Sequence, residues 1–239
     1  MRKIHLILTG LSLTILLLSI NRLTNLTQSY LQPYDFLRWL DFNAMIPIPL
    51  ISVILYYLLK KEIVYDSPFR KTAKYTFLMV LLISGIYFFA AGSGDHEVTN
   101  YLNTRFCDNG AINTPACKII GYNDDEFSHL IYYIGFVLMN VALIFIEYNY
   151  PRKILAKTKD LFFIFLNGLF IALGIFANLA FEEIGLDLLF FGSVMVLTHY
   201  VLFIKKRKVK QLPVTFYFSI SYTIGVMGTI LYKSLTGAL

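Results

Sequence analysis

The chain has 239 residues, of which 57% are hydrophobic and only 15% are charged, and its mean hydropathy is +0.62. Soluble domains carry about a quarter charged residues, so this composition excludes a soluble globular protein and predicts an integral membrane protein. The formal net charge of +6 does not indicate nucleic-acid binding, because the lysines and arginines stand in short clusters at the ends of apolar segments.

Apolar segments long enough to cross a membrane follow one another along the chain. A transmembrane helix needs about 20 mainly apolar residues, and these segments lack the alternation of a transmembrane β-barrel. We therefore predict an all-α fold, a single bundle of seven transmembrane helices that forms one domain over residues 1–239. The predicted spans are Ile4–Ile20, Phe42–Leu59, Tyr75–Gly92, Phe127–Glu147, Leu161–Phe181, Leu186–Ile204 and Val214–Leu235.

The basic residues predict which ends of the helices face the cytoplasm. When the loops are assigned alternately to two sides, 16 of the 21 lysines and arginines lie on one side and 5 on the other. Positively charged loops stay in the cytoplasm, so we predict an inside N-terminus and an outside C-terminus, in the cytoplasmic membrane if the organism is prokaryotic. On the outer side 11 of the 15 acidic residues gather, and such a surface attracts cations.

Ionisable side chains concentrate between the third and fourth predicted spans. His96 and Asn100 are four residues apart, as are Asp125 and His129, so each pair shares one face if its segment is helical. Histidine and carboxylate at this spacing can bind one metal ion. Next to Asp125, Asp124 is expected to cap the N-terminus of the fourth span. Two further carboxylates flank His96, namely Asp95 and Glu97.

The two cysteines of the chain, Cys107 and Cys117, lie in the same segment. On the outer, oxidising side a disulfide is the expected state, and closing a loop of this length contributes roughly 2–3 kcal/mol in the chain-entropy model. A redox pair is the alternative, but the spacing is not that of a CxxC motif. We therefore predict that residues 93–126 form an extracytoplasmic loop held by a disulfide.

A hairpin between the fifth and sixth predicted spans places Glu182 and Glu183 at the same membrane level. If the bundle brings it against the third and fourth spans, four side chains can converge on a divalent metal such as zinc. The predicted ligands are His96, His129, Asp125 and Glu182. The carboxylates predicted for acid–base chemistry are Asp95, Glu97, Asp125 and Glu183.

Polar residues inside the spans add candidates for a deeper cavity. His199 lies about 20 Å below the outer end of the sixth span, and ionisable groups at such depth commonly serve a function. The other polar candidates are Asn100, Asn140 and Asn178.

The sequence thus predicts a metal-dependent membrane hydrolase for a lipid or lipid-linked substrate, with membrane lipids as its partners. The alternatives are a transporter or binding protein that collects a cationic solute, and an assembly protein that docks through the outer loop; the oligomeric state is not predicted.

Overall fold

A computed structural model describes residues 1–65, 67–107, 114–180, 186–204 and 208–237 of the chain. Within these ranges the protein is helical without a β-strand, and seven helical segments are long and apolar enough to cross a membrane. The prediction of an all-α, seven-helix integral membrane protein is therefore confirmed. The spans are Arg2–Leu23, Trp39–Ile63, Ala73–Phe106, Pro115–Asn149, Thr158–Ala180, Leu186–Phe203 and Pro213–Thr236.

Some spans consist of more than one helical element. The second span breaks at Ile46, where Pro47 starts a new helix, because a proline at the first helical position has no N–H to satisfy. The fourth and sixth spans each contain a π-helical turn, Asn123–Phe127 and Tyr200–Ile204. We number the α-helices α1 (Arg2–Leu23), α2 (Trp39–Met45), α3 (Pro47–Ile63), α4 (Ala73–Phe106), α5 (Pro115–Tyr122), α6 (Ser128–Asn149), α7 (Thr158–Ala180), α8 (Leu186–His199) and α9 (Pro213–Thr236).

The segment predicted as a loop over residues 93–126 is helical over most of its described length. Helix α4 continues through Phe106 instead of ending at Gly92. Helix α5 then begins at Pro115, and the hydroxyl of its N-cap residue Thr114 accepts a hydrogen bond from the Cys117 amide at 3.3 Å. The predicted capping role of Asp124 is therefore wrong, because this residue lies within a continuous helical span that Thr114 caps.

A disulfide joins Cys107 at the end of α4 to Cys117 in α5, as the sequence predicts. Both cysteines are buried. The bridge connects the third span to the fourth on the side of the bundle that carries residues 24–38, which we call the acidic end. The opposite end, with residues 67–72 and 150–157, is the basic end.

Helices α4 and α6 approach each other closely through glycines. A Cβ atom on Gly135 would lie 2.7 Å from both the Gly85 carbonyl oxygen and the Phe89 Cα, and one on Gly85 would lie 2.8 Å from the Met139 amide nitrogen. These distances are shorter than any van der Waals contact, so the two backbones touch only because neither residue has a side chain. Gly225 of α9 also packs tightly against α7, since a Cβ there would lie 2.7 Å from the Ile175 side chain and 3.1 Å from the Ala172 carbonyl oxygen.

Near the basic end, a buried carboxylate on α6 caps the start of α9. Glu147 is fully buried, and it accepts hydrogen bonds from the Val214 amide at 3.0 Å and from the Thr215 amide and hydroxyl at 2.7 and 2.9 Å. The first amides of a helix have no partner within the helix, and the helix dipole favours a negative charge there. Glu147 therefore attaches the last span to the fourth.

We expect Glu147→Ala to destabilise the protein by roughly 3 kcal/mol, because three buried donors lose their acceptor at once. Glu147→Gln keeps one acceptor oxygen and should cost less. Thermal unfolding of the purified protein in detergent measures both. Glu62→Gln is the control, since its carboxylate lies 4.0 Å from Arg152 in a partly exposed pair and should contribute at most about 1 kcal/mol. Equal stability of Glu147→Ala and Glu62→Gln would contradict the capping role.

Candidate functional site

A cavity of about 1230 Å³ extends from the acidic end to the middle of the bundle. Ligand pockets usually measure about 300–1,000 Å³, so this space is large enough for a lipid-sized molecule. Residues of α1 to α8 and of the π-helical turn Asn123–Phe127 line it. Its deepest lining residues, Leu11, Tyr56 and Phe136, lie near the middle of their spans.

The polar side chains that line this cavity include most of the sequence-predicted site. Side chains from α4 and from the fourth span line the same cavity. Asn178 of α7 and Asp187 of α8 line the same space. The polar lining consists of Ser19, Arg22, Ser93, His96, Glu97, Asn100, Asp124, Asp125, Glu126, His129, Asn178 and Asp187, together with Thr14, Ser52, Tyr56 and three more tyrosines.

His96 and His129 lie side by side in the part of the cavity near the acidic end. Their ring centroids are 4.6 Å apart and the rings are inclined by 50°. Nδ1 of His96 is 3.3 Å from the Asp124 carbonyl oxygen and 3.1 Å from its carboxylate Oδ1. Both oxygens can only accept, so Nδ1 carries the proton. In the neutral ring Nε2 is therefore the basic nitrogen.

The π-helical turn positions Asp124 for this contact. Within the turn, the Ser128 amide donates to the Asn123 carbonyl, five residues before it. The Ser128 hydroxyl donates to the Asp124 carbonyl at 2.7 Å, and Asp124 is only 5% exposed. Single π turns occur frequently at functional sites. The predicted neighbour Asp125 lines the cavity too, but it is exposed.

Glu97 forms an ion pair with Arg22 of α1. Glu97 is 4% exposed, and both side chains line the cavity. Arg22 was not among the predicted site residues, since an arginine at the end of an apolar span has the pattern of a topology signal. The structure assigns it a second role, because it neutralises a buried carboxylate.

A second arginine fixes Asn100 at the edge of the cavity. Arg38 donates to both carboxylate oxygens of Asp41 at 2.8 Å and to the Asn100 side-chain oxygen at 3.3 Å. The hydrogen-bonded Asp41 carboxylate raises the pKa of Arg38 above its usual value, so the guanidinium stays charged. Such bidentate pairs are rigid, and Asn100 is therefore held in one orientation.

The remaining predicted residues are less closely tied to the cavity. Asp95 is next to His96 in sequence but does not line the cavity, and its buried Oδ2 has no hydrogen-bond partner within the described ranges. Glu182 and Glu183 lie outside the described residues. No group of three or more metal-binding side chains is found in the described part of the chain, and the predicted metal site stays a prediction.

Aromatic side chains, among them Tyr56 and Phe136, line the end of the cavity that lies in the middle of the bundle, which we call its floor. The Tyr56 hydroxyl donates to the Asn140 side-chain oxygen at 2.6 Å, and the Asn140 amide in turn donates to the Tyr222 hydroxyl. Asn140 lies behind this floor and does not line the cavity. His199 does not line it either, and Nδ1 of His199 donates to the Met195 carbonyl at 2.8 Å.

Comparison with protein-family models, with curated proteins and with solved structures finds no match for this chain.

Proposed function

We propose that this membrane protein is an enzyme that hydrolyses a lipid or lipid-linked substrate. The observation that supports it is a single cavity with two parts. A histidine–carboxylate cluster lines the part near the acidic end, and apolar, aromatic side chains line the part in the middle of the bundle. An amphipathic substrate fits this division, with its apolar chain among Phe89, Phe136 and Phe191 and its polar end beside His96 and His129.

In the proposed reaction, Nε2 of His96 removes a proton from a water molecule. The water oxygen attacks the acyl or phosphoryl centre, and the leaving oxygen or nitrogen receives a proton from His129 or from the His96 imidazolium. Asp124 holds the His96 ring through Nδ1 and stabilises the imidazolium that forms. Asp124 is thus a positioning residue, and the two histidines are the catalytic groups.

The proposal is tested by incubating the purified protein with fractionated membrane lipids and following hydrolysis products by mass spectrometry. Product must form with the wild type and be lost in His96→Gln. Metal analysis of the same protein tests the predicted zinc site, in which His96, His129 and Asp125 are the described ligands. Bound metal that disappears in His96→Ala and His129→Ala would make these histidines ligands instead of bases.

A transporter is the second hypothesis from the sequence, and it requires a polar path across the bundle. That path would run through Asn140, Asn178, Glu182 and His199; Asn178 lines the cavity, Asn140 and His199 do not, and Glu182 lies outside the described residues. The enzyme is therefore favoured over the transporter. Uptake of a solute into proteoliposomes without formation of a hydrolysis product would favour the transporter over the enzyme.

We further propose that the acidic end, and the cavity with it, faces the outside of the cell. The support is the excess of lysines and arginines at the basic end. Both native cysteines form the disulfide, so single introduced cysteines can be labelled selectively. Lys118→Cys, exposed at the acidic end, should react with a membrane-impermeant maleimide in intact cells, whereas exposed Lys71→Cys should react only after permeabilisation. The opposite labelling pattern would invert the topology.

A further inference from the structure

We propose that the polar part of the cavity binds the ammonium group of an amphipathic molecule, with Glu97 as the principal hydrogen-bond acceptor. This inference rests on the proposed function, because it names the headgroup chemistry that the same cavity recognises. It concerns binding only, and it holds for an ester, amide or phosphoester substrate alike.

One carboxylate oxygen of Glu97 is an unsatisfied hydrogen-bond acceptor. Glu97 is 96% buried, since its exposed fraction is 4%, and it lines the cavity. Its Oε1 accepts from Arg22, but its Oε2 is buried without a hydrogen-bond partner within the described residues. A buried acceptor without a donor costs about 1–3 kcal/mol, and more for a charged group. A ligand donor in the cavity removes this cost once the Glu97 side chain rotates and brings Oε2, which is buried as it stands, to the cavity surface.

The charged side chains of the cavity lining favour a cationic headgroup. The described cavity lining contains five carboxylates, one guanidinium and two imidazoles. The lining is therefore net negative even with both imidazoles protonated. Such a cavity attracts cations and repels phosphate or carboxylate headgroups. The five carboxylates are Glu97, Asp124, Asp125, Glu126 and Asp187.

The donors of an ammonium group match the acceptors of the cavity. An ammonium group carries three N–H donors and no acceptor, and its hydrogen bonds to carboxylates are charge-assisted and short. The carboxylate of Asp124 lines the same cavity as Glu97 and adds further acceptor oxygens. The chamber formed by Phe89, Phe136 and Phe191 below them takes the apolar chain, so one molecule satisfies both parts of the cavity.

Three probes with the same chain and different headgroups test the inference: dodecylamine, dodecanol and dodecyl phosphate. Each is titrated into the purified protein in a non-ionic detergent, and binding is measured from the rise in the unfolding temperature. We expect dodecylamine to bind about tenfold more tightly than dodecanol and dodecyl phosphate to bind most weakly. Glu97→Gln should remove this preference, because the amide keeps an oxygen for Arg22 but loses the charge. Glu62→Gln, at the basic end, should retain it.

The outcomes separate this inference from the proposed function. Equal or tighter binding of dodecanol or dodecyl phosphate overturns the ammonium assignment and leaves a lipid-binding cavity intact. Failure of all three probes to bind removes the support for the proposed function itself. Stabilisation by zinc or calcium that competes with dodecylamine and is lost in Glu97→Gln would replace the ammonium by a metal ion. If Glu97→Gln does not fold, the headgroup series on the wild type still decides.

Discussion

Replacing Gly135 by alanine is expected to destabilise the protein by about 3 kcal/mol, the upper part of the range for overpacking. The added methyl group would lie 2.7 Å from the Gly85 carbonyl oxygen and from the Phe89 Cα. These are backbone atoms of α4, which cannot rotate away as a side chain can. The α4–α6 contact would have to open, and the two walls that carry His96 and His129 would separate.

Gly94→Ala is the matched control for this prediction. It adds the same methyl group to a helix, but a Cβ at Gly94 meets no atom within 4 Å. Since alanine has a higher helix propensity than glycine by about 1 kcal/mol, Gly94→Ala should be neutral or slightly stabilising. Thermal unfolding in detergent compares the two variants. Similar unfolding temperatures for both would show that α4 and α6 are not in backbone contact.

His96→Gln is expected to lower the rate of hydrolysis by about 10²–10⁴-fold, the usual contribution of a general base. Glutamine keeps a polar side chain of similar size beside Asp124, but it has no basic nitrogen. The measurement is the turnover of a substrate identified in the lipid screen, with the unfolding temperature determined in parallel. A His96→Gln protein that is folded and fully active would refute the assignment of His96 as the base.

Two further variants sharpen the interpretation of His96→Gln. His199→Gln makes the same chemical change outside the cavity lining and should leave turnover unchanged. Asp124→Asn preserves an acceptor for Nδ1 but removes the negative charge that stabilises the imidazolium. We expect it to reduce kcat with little change in KM, which a purely structural defect at Asp124 would not produce.

The number and approximate positions of the spans could be predicted because hydropathy is a local property of the sequence. Their ends could not, since a helix does not stop where its side chains become polar. In α4 the polar residues from Asp95 to Arg105 continue the helix beyond the predicted end at Gly92. The same effect made Asp124 look like an N-terminal cap, although the helical span begins at Pro115.

Residue spacing predicts which side chains share a face of one helix, but it does not predict contacts between helices that are distant in the sequence. The prediction that His96 and the fourth span face one cavity is consistent with the geometry, but the partner of His96 is Asp124, which had been assigned to capping. The Arg22–Glu97 pair and the Glu147 cap connect residues 75 and 67 positions apart. The local sequence does not indicate such contacts, because they depend on which helices become neighbours in the bundle.

The π turn at Asn123–Phe127 makes the site depend on the length of the chain. A π turn holds one residue more than the α turn it replaces, and one residue corresponds to about 100° of rotation around a helix axis. Deleting a residue from this turn would therefore swing α5 around α6, taking Asp124 away from His96 and Cys117 away from Cys107. A one-residue change in register, with every site side chain still present, would separate His96 from the Asp124 carboxylate and disconnect the third span from the fourth.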